Sequence, residues 1–201
     1  MKTALLLMIL ISASLCVLHS PLTQKKPVKP VAKSGAIDLN TALLEGKPGT
    51  VSLYLSKGGN PNALIGGQTL LTIASNNGCI DTMKVLIKAG AKVNMAGKDG
   101  DTPLLRAARH LYRTELDTID LLIKNGADVN LAFPKGSSPL MMVASPPSST
   151  YESTYADGTK LLLKHGAKVN ARNQMGYTAL KLAKNAGANK IVAILKAAGA
   201  K

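Results

Sequence analysis

The chain repeats itself, and that feature constrains its fold more than any other. Three nine-residue stretches match closely: Leu86-Ile87-Lys88-Ala89-Gly90-Ala91-Lys92-Val93-Asn94, Leu122-Ile123-Lys124-Asn125-Gly126-Ala127-Asp128-Val129-Asn130 and Leu162-Leu163-Lys164-His165-Gly166-Ala167-Lys168-Val169-Asn170. Weaker copies run from Tyr54 to Asn62 and from Leu195 to Lys201, so the landmark glycines stand at 58, 90, 126, 166 and 199. A second landmark keeps phase with the first: Gly67-Gln68-Thr69-Leu70-Leu71, Gly100-Asp101-Thr102-Pro103-Leu104, Gly136-Ser137-Ser138-Pro139-Leu140 and Gly176-Tyr177-Thr178-Ala179-Leu180. A unit of this length cannot bury its own apolar face. Neighbouring units must stack, and at least three are needed.

Each landmark has a local physical role. Thr or Ser caps a helix start, and Pro is tolerated in the first turn, where its missing N–H costs nothing. A short Ala-rich helix follows, clearest at Ala107-Ala108, narrow enough to lie close against its neighbours. A second helix then places Ile80, Met83, Leu86 and Ile87 near helical spacing. Gly90, Gly126 and Gly166 sit where a helix ends in a left-handed residue, and Asn94, Asn130 and Asn170 begin the turn to the next unit.

These Gly-x-Thr-Pro-Leu and Gly-Ala-Asp-Val-Asn patterns resemble ankyrin repeats over residues 37–201. The resemblance implies an all-α fold: a solenoid of about five stacked helix–turn–helix units with short turn or hairpin connections. The units fall near residues 37–62, 66–94, 99–130, 135–170 and 175–201. The family's usual His after Pro-Leu is replaced by Thr72, Leu105, Met141 and Lys181, so its hydrogen-bond network is expected to be missing or altered. Ile37-Asp38-Leu39 departs from Thr-Pro-Leu, which marks the first unit, with the last, as a cap. Two middle units are longer by three and seven residues, near Arg109–Asp117 and Ser145–Ala156. The second of these, with Ser145-Pro146-Pro147-Ser148-Ser149, reads as a surface loop. Both a binding role and tolerated drift stay open for the two insertions.

Composition agrees with stacked aliphatic helices. Aromatics are only 3% of 201 residues, with no Trp and one Phe, so Leu, Ile, Val and Ala must fill the core. At the N-terminus, Met1-Lys2 and an apolar run from Ala4 to Leu18 read as a cleaved signal peptide over residues 1–20. Cleavage after Cys16 or after Ser20 are both open. Acylation at Cys16 would need a smaller residue than Leu15, and a retained anchor is a third option. Residues 21–36 combine Pro21, Pro27 and Pro30 with four Lys and read as an extended tether. The expected destination is periplasmic or secreted.

No catalytic or metal-binding constellation accompanies the repeat. Cys-x-x-Cys, His-Glu-x-x-His, Gly-x-Ser-x-Gly and Gly-rich phosphate loops are absent from the sequence, and its glutamates stand alone. His165, beside a helix-ending Gly, suits a capping role, and His110 reads as solvated surface. The chain is therefore expected to be a monomeric binder without cofactor or metal, and not an enzyme. Net charge is +14. The excess sits in residues 21–36 and in residues 160–201, which hold nine cations and no acid.

Two functions follow. In the first, the chain is a protein–protein interaction module. The resemblance places contacts at the turn tips and along the first helix of each unit. Those positions are Ile65, Gln68, Asn76, Asn77, Lys98, Asp99, Asp101, Arg109, His110, Lys135, Ser137, Arg172, Gln174, Met175 and Tyr177. In the second, the basic tail and the C-terminal unit, with Lys181, Lys184, Lys190 and Lys196, hold an anionic envelope surface or polymer. The same lysines also read as a solvated capping face. Nucleic acid is not the expected partner, because no recognition motif accompanies the charge.

Overall fold

The computed structural model describes residues 38–132 and 136–201. The stretches expected to be a signal peptide and a tether, with Cys16, and Lys135 lie outside the described residues. Among those described, ten α-helices form five pairs. They are α1 (Leu39–Leu44) with α2 (Pro48–Ser56), α3 (Leu70–Asn76) with α4 (Ile80–Lys88), and α5 (Pro103–Arg109) with α6 (Leu116–Lys124). The last two pairs are α7 (Pro139–Val143) with α8 (Glu152–Lys164) and α9 (Ala179–Asn185) with α10 (Asn189–Ala197). Extended structure is confined to a two-stranded antiparallel ribbon, β1 (Leu64–Ile65) and β2 (Gln68–Thr69), with Leu64 opposite Thr69.

The predicted caps start the first helices. The side chains of Thr69, Thr102, Ser138 and Thr178 accept the N–H three residues on, at 3.0, 3.2, 3.4 and 3.3 Å. Asp38 does the same for α1, accepting from the Thr41 N–H at 3.1 Å, so the first unit departs in sequence but keeps the device. The second helices stop where expected. Gly90 takes φ +89°, its N–H donates to the Ile87 carbonyl and the Ala91 N–H reaches back to Leu86, both at 3.0 Å. A residue with a Cβ pays a steric cost in that conformation, which is why glycine recurs at this position.

First helices stack on first helices and second on second. Small residues line the first row (Ala74, Ala107, Ala108, Ala144, Ala183), and Met83, Leu86, Ile119, Leu122 and Leu162 fill the space between the rows. All of these are buried, which joins the five pairs into one aliphatic core.

A side-chain ladder ties consecutive units together. The Asn94 amide donates to the Gly126 carbonyl and accepts the Asp128 N–H, both at 2.8 Å. Asn130 bridges to Gly166 and Lys168 at 3.1 and 2.8 Å, and Asn62 and Asn170 do the same at the two ends of the array. These asparagines thus do more than begin a turn. Each satisfies a helix-end carbonyl and an N–H of the next unit with one planar group.

The Ser145–Ala156 insertion is only partly a loop. Residues 145–148 are irregular, Ser149–Tyr151 form a 3₁₀ turn and Glu152 already opens α8, which is 13 residues long against nine for α4 and α6. Helix formation continues through the insertion because Tyr155 has a buried site to fill. Its side chain is fully buried, and its hydroxyl donates to the Arg109 carbonyl at 2.9 Å. Leu111, from the other insertion, is buried against Gly158. A Cβ on that glycine would stand 2.6 Å from the Leu111 Cδ2. Above them the Tyr112 and Tyr151 rings meet at 5.6 Å. Glu152 also accepts the Lys190 N–H at 2.7 Å, capping the start of α10. The two insertions therefore pack on each other and on the unit that follows.

Candidate functional site

Each first helix starts at the edge carrying the turn tips and ends at the opposite edge, where the second helix begins. This antiparallel path divides the candidate contact residues into two groups.

The tip edge is built by turns lying side by side. The Lys98 N–H donates to the Gly67 carbonyl at 2.7 Å, joining the tips of the second and third units. Gly97 permits that approach, since a Cβ there would stand 2.7 Å from the same carbonyl. A groove of about 600 Å³ runs between these tips, lined by Leu64, Gly66, Gly67, Gln68, Lys98 and Asp99. In the last unit the Asn173 carboxamide accepts the N–H groups of Met175 and Tyr177 at 3.0 and 2.9 Å, and Arg172 donates to the Gly176 carbonyl at 2.9 Å. That tight turn pushes Met175 outward until it is 70% exposed, the most exposed large apolar residue among those described, with Tyr177 at 37% beside it.

Ile65, Gln68 and Ser137 are half-buried on this edge, while Lys98, Asp99, Arg172 and Gln174 are exposed. Asp101 departs from the expected outward placement. Its carboxylate is 1% exposed and holds Arg109 through two 3.0 Å bonds and Arg106 at 3.0 Å. Asp99 meets the same guanidinium nitrogen of Arg106. Burial pushes the Asp101 carboxyl up, and the two guanidiniums pull against it. The group braces the third tip against its own helix, so it is not presented to a partner.

Asn76, Asn77, Arg109 and His110 lie at the far ends of the first helices. Asn77 donates to the Ile73 carbonyl at 2.8 Å, and His110 faces Tyr112. Sequence reasoning passed over Leu111, Tyr112, Tyr151 and Tyr155, which build this second edge. One signal was available: three of the six aromatic residues in the chain fall in the two insertions.

The five capped helix pairs, the phased glycines and the asparagine ladder together define the repeat type. A family model described as ankyrin repeats, in three copies, matches residues 39–133 and residues 111–201. The chain belongs to the ankyrin-repeat family. A search of curated proteins finds no match to it. Ankyrin repeats are generally protein–protein interaction modules.

Within this ankyrin-repeat chain the altered His position has a visible consequence. Thr72 hydrogen-bonds the capping Thr69 hydroxyl at 2.7 Å, whereas Leu105 and Met141 are buried as apolar residues. Lys181 occupies the same position in the last unit and is exposed. Lys184 likewise matches Ser75, Ala108 and Ala144, all buried in their units. Two of the four candidate anion-binding lysines thus stand where interior units bury side chains against the next unit. A third, Lys190, spends its ammonium on the Ser153 hydroxyl at 2.9 Å.

Proposed function

We propose that this chain is an exported, non-catalytic ankyrin-repeat scaffold that grips one protein partner along its tip edge and the adjoining first-helix face. The observation that carries this reading is the tip of the last unit, where a tight turn holds Met175 and Tyr177 out in solvent. A thioether and a phenol on a rigid turn make low-entropy apolar anchors, Arg172 and Gln174 supply a polar rim on the same tip, and Lys98 and Asp99 extend the polar edge at the third unit's tip. Lys181 and Lys184 are read as a charged capping face, because interior units bury the matching positions. Long Lys stems cover apolar surface while keeping the charge in water.

The test is capture of a partner from the native compartment with the mature form, whose N-terminus is defined by intact mass. A Met175→Lys, Tyr177→Ala double variant is expected to weaken capture at least about tenfold, the effect of losing central apolar anchors, while helicity is unchanged. Undiminished capture by that variant would move the grip elsewhere. Loss of capture by the Lys181→Gln, Lys184→Gln pair, with a steep salt dependence, would instead favour an anionic partner.

A further inference from the structure

His110 ends α5 at the place where the third unit meets the insertion of the fourth. Its ring is half-buried, with Nδ1 3.4 Å from the Tyr112 hydroxyl and the two ring centroids 5.8 Å apart. Tyr112 in turn leans on Tyr151 of the next unit, and the neighbouring Arg109 carbonyl accepts the Tyr155 hydroxyl. The charges acting on His110 are three guanidiniums: Arg106 and Arg109 from its own helix and Arg113 from the insertion. Asp99 and Asp101 reach Arg106 and Arg109 from the turn tip of the third unit and are engaged there. From the fourth unit the titratable groups in the aromatic cluster are two phenols, Tyr151 and Tyr155, and the adjoining Glu152 carboxylate is engaged by the Lys190 N–H. Tyr155 is pushed up to about 12 by burial, and a phenol carries no charge at neutral or acid pH.

We propose that the two insertions form a clasp between the third and fourth units that opens in acid, with protonation of His110 as its trigger. An imidazolium at this place is half-desolvated and stands beside three guanidiniums, only two of which are paired with carboxylates among the described residues, and swinging out to water relieves both penalties. The helix C-terminus favours a cation at the same spot, but three guanidiniums oppose it. Once the ring leaves, Tyr112 keeps only the Arg113 guanidinium, 5.3 Å from its ring centroid, and its contact with Tyr151 across the units loosens. The same surroundings, burial first and then the three arginines, hold His110 down to about 4 in the closed form, from an ordinary 6.5. An opened form titrates near the ordinary value. The clasp is therefore at full strength above 6.5 and weakens as pH falls from 6.5 towards 4.

Hydrogen exchange of the full chain at pH 7 and pH 5, corrected for intrinsic rates, tests this. Protection of residues 110–115 and 149–158 is expected to fall roughly tenfold at the lower pH, while residues 70–88 change little. His110→Gln should abolish the difference. Arg113→Gln, at an exposed side chain that also stacks on Tyr112, should lower protection at both pH values and shrink the difference between them by removing one of the three opposing charges. His165→Gln, at an exposed helix end, should leave it as in the parent protein. Protection that persists to pH 4.5, or an equal acid loss in His110→Gln, overturns the proposal. Should His110→Gln not fold, Arg113→Gln decides, since an undiminished acid loss there points away from His110.

Discussion

The second and fourth units solve the same packing problem with different amounts of chain. In the second, three residues join α3 to α4, and both helices are spent on the interfaces with the neighbouring units. In the fourth, α7 is cut to five residues, a loop and a 3₁₀ turn intervene and α8 is extended to 13. The rows that face neighbouring units are nonetheless kept: Leu86 and Leu162 are both fully buried, as are Ala74 and Ala144. All the extra length is placed at the far edge, where Tyr155 is buried and the exposed Tyr151 meets the half-buried Tyr112 of the third unit. The difference teaches that a solenoid tolerates insertion at its edge provided the stacking rows stay in phase, and that an insertion long enough to bury a ring becomes structural.

That contrast is sharpest at Tyr155. Tyr155→Ala empties a fully buried site and breaks the bond to the Arg109 carbonyl, so unfolding in urea should show a loss of about 3–5 kcal/mol. Leu86→Ala in the regular unit should cost a comparable 2–5 kcal/mol, roughly the range for deleting a buried aliphatic side chain. If Tyr155→Ala costs less than about half a kcal/mol, the insertion is a passive loop after all.

The asparagine ladder should not distinguish the two kinds of unit. Asn94→Ala and Asn130→Ala each remove two hydrogen bonds at an exposed edge, where water replaces part of what is lost. Chemical denaturation should report about 0.5–1.5 kcal/mol for each. A much larger cost at Asn130 would mean that the inserted unit depends on the ladder more than the regular one does.

The smallest effect belongs to the terminal unit, where positions that interior units bury are exposed. Changing Lys181, Lys184, Lys190 and Lys196 together to Gln should shift stability by no more than about 0.5 kcal/mol per site, because exposed charges contribute little to folding. Solubility is expected to fall. A loss of several kcal/mol by thermal melting would mean that these lysines do more than cover an end.

Much of this was legible in the residues themselves. The phase of the glycines, the Thr and Ser caps and the aliphatic composition determined five stacked helix pairs, because capping, left-handed turns and apolar spacing are local rules that need no distant partner. The outward tip residues were legible for the same reason, since a tight turn exposes its apex. What tertiary structure alone decided was where long side chains end. Asp101 sits in a tip motif, yet it turns inward because Arg106 and Arg109 lie five and eight residues on along one helix face. Tyr155 looks like part of a polar insertion, yet among the described residues it becomes the largest fully buried side chain because Arg109, 46 residues earlier, offers its carbonyl. Such pairings depend on which units touch and at what rotation. That information appears only once the array has stacked.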